Sequence, residues 1–218
     1  FYSLFMKLLR GSICNPQASD RCDFYQDGGI LINKNGIIEL IGVFEDVIRE
    51  ARVRFGAIVP MELQMGELII PAFTDAHVHM PQHHVRGVFD GNLMGLIDWL
   101  RNYIWKEEAN FKDPAFADAH AAQFARDLLA QGTLNAQVMC TVHEASLYTL
   151  FEYGVGHILA GNVTMDQRCE ESGLQQSTEE AIAITERMIK KYGDRYVVTP
   201  RFAVTCTMEL MRALGDLT

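Results

Sequence analysis

Leu68-Ile69-Ile70-Pro71-Ala72-Phe73-Thr74-Asp75-Ala76-His77-Val78-His79 is the stretch on which the fold turns. It opens with an apolar run, 68–73, of the kind that suits a strand buried on both faces of a parallel sheet. Asp75-Ala76-His77-Val78-His79 comes directly after it. In extended backbone, residues two apart point to the same side, so His77 and His79 can offer imidazole nitrogens to one point. Neutral imidazole is a natural ligand for Zn2+. Asp75 falls on the same side and is placed to accept the second ring N–H of a histidine. Two histidines do not close a site, because a catalytic zinc takes three protein ligands and an open position. His-x-His also occurs on solvent-facing strands, and the spacing alone does not separate the two readings.

Toward the C-terminus the pattern becomes an alternation of strands and helices. A helical stretch is expected at 93–105. A longer helix is expected at 114–130, with Asp113 as N-cap, Pro114 in its first position and Gly132 beyond its end. Residues 133–141 read as the next strand, 144–153 as a helix, and 157–163 as a third strand. Ser177 followed three residues later by Glu180 forms a capping box at the head of a helix over 178–192. Residues 196–199 read as a fourth strand, and 208–214 begin another helix. This order predicts a parallel sheet with helical crossovers. Four such units fit a small open α/β domain. They fit equally the first half of a (β/α)8 barrel, which typically takes ~250 residues. In a barrel, residues at the C-terminal end of a strand sit on the face that carries the chemistry.

Toward the N-terminus, residues 1–67 read as β-rich. An apolar run spans 5–13. The segments 29–33 and 36–42 flank Lys34-Asn35, and Asn35-Gly36 is a strong hairpin signal because both residues tolerate positive φ. Residues 44–55 have the spacing of an amphipathic helix. The expected organisation is a small β domain over 1–67 and a β/α domain over 68–218.

Composition narrows the function. The chain has 218 residues, 49% of them hydrophobic and 22% charged, which is ordinary for a globular protein. A net charge of -9 without a local Lys/Arg cluster excludes an electrostatic nucleic-acid surface. No segment reaches transmembrane length, and the charges of the apolar first ten residues lie where a secretory signal does not place them. Cys14, Cys22, Cys140, Cys169 and Cys206 are odd in number and widely spaced, the pattern of reduced cytoplasmic thiols. Of the other histidines, His120 sits inside the long helix and reads as a packing residue. His143, just after the second strand, is the best spare ligand candidate, and a plain loop histidine is the competing reading.

At this point the residues carry a family resemblance. Pro71-Ala72-Phe73-Thr74-Asp75-Ala76-His77-Val78-His79 resembles the strand signature of the amidohydrolase superfamily. His79-Met80-Pro81-Gln82, Leu96-Ile97-Asp98-Trp99-Leu100 and Val198-Thr199-Pro200-Arg201-Phe202 look like its guanine deaminase family in particular. Thr205-Cys206-Thr207, Gly161-Asn162-Val163-Thr164-Met165-Asp166 and Ser177-Thr178-Glu179-Glu180 fit that family in the same order. One departure is Gly132-Thr133-Leu134-Asn135, where the family commonly has Gly-Thr-Thr.

The resemblance implies an α/β fold: the first half of a TIM-type barrel preceded by part of a small β-sandwich. It implies that His77 and His79 bind Zn2+, and that Gln82, Arg201 and Phe202 hold the purine. Those residue types suit the task, since Gln carries both donor and acceptor, Arg a planar fork of donors, and Phe a face for a base. The family's remaining zinc ligands and its acid-base carboxylates belong beyond Thr218, so no catalytic residue is expected within these 218. The implied activity is hydrolysis of guanine to xanthine and ammonia, by a cytoplasmic enzyme that is a homodimer when complete. Competing readings are a sister amidohydrolase acting on another amino-purine, a pterin or a triazine, and a fragment or relative without activity.

Overall fold

The computed structural model describes residues 6–88, 95–154 and 156–218. The chain divides into two compact units, Phe1–Pro71 and Ala72–Thr218.

Among its described residues, the first unit is a mixed five-stranded sheet carrying one helix. Strands β1 (Lys7–Ala18) and β2 (Arg21–Ile32) form a long antiparallel hairpin, and β3 (Ile38–Val43) adds to β2. After α1 (Phe44–Phe55), β4 (Pro60–Glu62) and β5 (Leu68–Ile69) both pair parallel with β1. Leu8 and Leu31 from the sheet pack on Phe44, Val47, Ile48 and Ala51 of α1. The start of the run expected at 5–13 lies outside the described residues. β2 begins eight residues earlier than the pattern indicated, because Arg21-Cys22-Asp23-Phe24-Tyr25-Gln26-Asp27 is polar and mostly exposed, so no burial period marks it. The Asn35-Gly36 turn exists, with Gly36 at φ 80°. Asn33 organises it: its Oδ1 accepts from the backbone N–H of Asn35 at 2.9 Å and of Ile37 at 3.1 Å.

The run 68–73 is not the first strand of the second unit. Leu68 and Ile69 pair with Ser12 and Ile13 of β1, and Pro71, which has no N–H to give to a ladder, separates them from the next strand. The first strand of the second unit is β6 (Phe73–His79), which carries both histidines within it. Nor is the run buried on both faces: Leu68 is 48% exposed and Phe73 56%.

Beyond β6, a 3-10 turn (Met80–Val85) leads toward a helical stretch. Its expected first residues, 93 and 94, lie outside the described residues. The rest comprises α2 (Leu96–Trp99), a wider turn over Leu100–Ile104, and α3 (Trp105–Ala109). Then come α4 (Pro114–Ala130), β7 (Thr133–Met139), α5 (Glu144–Tyr153), β8 (His157–Gly161) and β9 (Val163–Thr164). The chain closes with α6 (Thr178–Tyr192), β10 (Thr199–Pro200) and α7 (Met208–Gly215). Asp113 Oδ1 caps α4 through the Ala115 N–H at 2.9 Å, and Ser177 Oγ caps α6 through the Glu180 N–H at 3.1 Å.

The strands run parallel in chain order. β6 pairs β7, β7 pairs β8, and β10 pairs β9. The expected third strand is divided at Asn162, whose Nδ2 donates to the Thr141 and His143 carbonyls. The expected fourth strand is shorter than 196–199 suggested. Tyr196 bridges Ala160 and the Val197 N–H reaches the Ala160 carbonyl at 2.9 Å, but regular pairing is confined to Thr199–Pro200. Helices α4, α5 and α6 cover the sheet through Phe124, Leu147, Leu150, Ile184 and Met188, packed on Ala136, Val138, Ile158 and Ala160.

Candidate active site at the C-terminal ends of the parallel strands

A cavity of about 380 Å3 opens where the strands end. It is lined by His77 and His79 of β6, Gln137 and Met139 of β7, Val163 of β9, and Thr199 and Pro200 of β10. Gln82 of the turn after β6, Trp99 of α2, and Arg201 and Phe202 just past β10 complete its wall. The strand ends of a parallel α/β sheet leave a crevice of this kind, and its volume is that of a small-molecule site. The structure therefore brings His77, His79, Gln82, Arg201 and Phe202, up to 125 positions apart in sequence, to one place.

The histidines converge as the i, i+2 spacing requires. Their Nε2 atoms lie 3.2 Å apart. Two nitrogens on a tetrahedral metal with bonds of ~2.0–2.1 Å would be roughly 3.3–3.4 Å apart, so the pair fits two ligands of one ion. Burial, with the charges of Arg201 and His77, pulls the His79 imidazole down to about 4. That ring is neutral at physiological pH, the form that ligates metal. His79 Nδ1 is buried and lacks a hydrogen-bond partner among the described residues. Asp75 does not supply that partner: its Oδ1 instead accepts from the backbone N–H of His77 at 3.1 Å. Among the described residues, no three His, Cys, Asp or Glu side chains gather as a metal cluster.

Neither His120 nor His143 lines this cavity. His120 stacks on Phe116 at 3.8 Å between ring centres, a packing role. His143 borders a different cavity with Lys112, Gln175 and Gln176, and its imidazole is lowered by burial and by Lys112.

Glu108 of α3 is the residue that sequence reading passed over. It is 2% exposed, yet carries a carboxylate. Its Oε2 accepts from Arg201 Nη1 at 2.6 Å and its Oε1 from Arg201 Nη2 at 3.1 Å. Oε1 also accepts from Gln82 Nε2 at 3.0 Å. Lys106-Glu107-Glu108 reads as a solvated charge run, and only its pairing across 93 positions reveals otherwise. Gln137 was missed too. It shares a strand face with Met139, the same two-residue period that flagged the histidines.

Residues 68–218 match the model of the amidohydrolase family. The chain belongs to the amidohydrolase family. Relatives of this amidohydrolase include guanine deaminase of Escherichia coli (strain K12), 31% identical over 224 residues, which cover 94% of this chain and 48% of that protein. Guanine deaminase of Dictyostelium discoideum is 30% identical over 230 residues, covering 97% and 50%. Among solved structures, guanine deaminase from C. acetobutylicum with bound guanine in the active site superposes with a TM-score of 0.82 at 28% identity, over 97% of this chain and 50% of that one. The amidohydrolase chain spans about half the length of the curated relatives it matches. Among its described residues, no helix is long and apolar enough to cross a membrane.

Proposed function

We propose that this chain forms the N-terminal half of a zinc-dependent guanine deaminase, which hydrolyses guanine to xanthine and ammonia. The observation that carries the reading is the single cavity in which His77 and His79 face Gln82, Arg201 and Phe202. The likeness to guanine deaminases, one of them solved with guanine bound, supports it. In this reading β6, β7, β8 with β9, and β10 are the first four strands of a (β/α)8 barrel. The sheet of the first unit is then part of a small β-sandwich domain. The complete enzyme is a cytoplasmic homodimer acting on a free base rather than on nucleic acid.

His77 and His79, whose Nε2 atoms lie 3.2 Å apart, would hold the metal. Zinc bound there would supply Lewis-acid activation of water near neutral pH. Arg201 donates to the carbonyl oxygen and ring nitrogen of the purine as a planar fork, Gln82 engages its polar edge, and Phe202 packs on its face. Trp99 and Met139 contribute apolar wall that keeps bulk water from the base. The third ligand and the acid-base carboxylates that move protons to the leaving ammonia come from the rest of the barrel.

The test is substrate profiling of the complete protein with zinc, measuring ammonia release from guanine, adenine, pterins and amino-triazines. Preference for guanine is expected. Faster turnover of a pterin or triazine would move the protein to a sister activity within the family.

A further inference from the structure

A carboxylate removed from water must be matched by hydrogen-bond donors to persist as an ion. At Glu108 the match comes from two side chains of the cavity wall, since both oxygens accept from Arg201 and one also from Gln82. The pair is sealed from solvent, with side-chain exposures of 5% for Arg201 and 2% for Glu108. Neighbouring Glu107 turns elsewhere, toward His120 Nε2 at 3.6 Å.

The chemistry of the carboxylate decides the orientation of both partners. An ionised carboxylate only accepts, so Gln82 must give it the amide NH2, and its Oε1 is left as the acceptor for the cavity. Arg201 has five N–H donors, of which Glu108 engages two through Nη1 and Nη2. Three remain for a ligand.

We propose that Glu108 is a positioning residue that sets the specificity of the pocket, fixing Gln82 as an acceptor and Arg201 as a donor. The inference rests on the reading of this cavity as a purine site. The pocket then takes a heterocycle that presents a carbonyl or ring-nitrogen acceptor to Arg201 and an N–H donor to Gln82. Guanine presents both. A purine with an amino group in place of the carbonyl turns a donor toward a donor and is rejected, because buried polar groups are left unpaired.

The experiment uses the complete zinc-loaded protein and steady-state kinetics on guanine. Glu108→Gln keeps the shape of the side chain but no longer dictates either orientation. Its KM should rise at least about tenfold and by more than kcat falls, with zinc content unchanged. In a cycle with Arg201→Lys, the losses should be clearly less than additive, since part of the Glu108 effect runs through Arg201 and the rest through Gln82. A purely structural carboxylate would give additive losses. Should Glu108→Gln not fold, the unsubstituted enzyme still carries the test: 2,6-diaminopurine should bind at least about tenfold more weakly than guanine. Unchanged KM, additive losses, or equal binding of the two purines overturns the role of Glu108 alone. An unsubstituted protein that converts no guanine overturns the functional reading as well.

Discussion

Arg201 is the residue on which the pocket chemistry converges. It lies just past the last parallel strand, shares a buried pair with Glu108, and adds its charge to the burial that lowers the His79 imidazole. Arg201→Lys retains that charge but not the planar fork. In the complete protein, kcat/KM for guanine should fall roughly 10- to 150-fold, the loss of one to two hydrogen bonds to a charged group. Near wild-type kinetics would remove Arg201 from the site. Phe202 tests the apolar side of the same pocket. It packs against the buried cluster that includes Leu100 and Met165 and lines the cavity, and Phe202→Ala should raise KM for guanine, at about 1–3 kcal/mol for lost stacking on a base. At this scale the sequence displayed what short spacing can display. His77 and His79 stand two apart on a strand, and the strand period alone sets them together. Glu108 could not be read in this way, because its burial depends on partners 26 and 93 positions away.

Among the elements, those closed by local chemistry were the most legible. Asp113-Pro114 and Ser177 begin helices where their side chains can cap the first turn, so α4 and α6 start where the sequence places them. Strands were harder, because their extent depends on neighbours that the local pattern does not name. The apolar run before Pro71 resembles a barrel strand, yet pairs with β1, and β10 is shortened between the turn at Gly193–Arg195 and Pro200. Gly161 shows why the fourth strand can approach the third at all. A Cβ at that position would lie 1.9 Å from the Val197 carbonyl oxygen and 2.5 Å from Thr199 Oγ1. Gly161→Ala must push β10 away, and Arg201 with it. We expect a loss of roughly 1–3 kcal/mol in unfolding free energy, measured by denaturant titration of the complete protein, together with reduced guanine turnover. A neutral Gly161→Ala would contradict the observed register of β10 on β9.

For the whole molecule, the parallel strands of the second unit form two sheets among the described residues, β6-β7-β8 and β9-β10, so that β6 lies at an edge of one and β10 at an edge of the other. Phe73 on β6 and Leu129 in α4 are large apolar side chains left more than half exposed. Such edges and patches associate unless covered. The 218 residues expressed alone are expected to self-associate in light scattering and to release no ammonia from guanine, since two imidazoles do not complete a catalytic zinc site. A monodisperse, active polypeptide of this length would refute the half-barrel proposal. The most direct measurement is xanthine formation from guanine by the complete zinc-loaded protein, beside His77→Ala and His79→Ala, with zinc content determined for each. Guanine-dependent xanthine formation that disappears in both variants along with bound zinc is the predicted result; xanthine formation that survives loss of both imidazoles, or zinc-replete wild-type protein that leaves guanine unchanged, would contradict it.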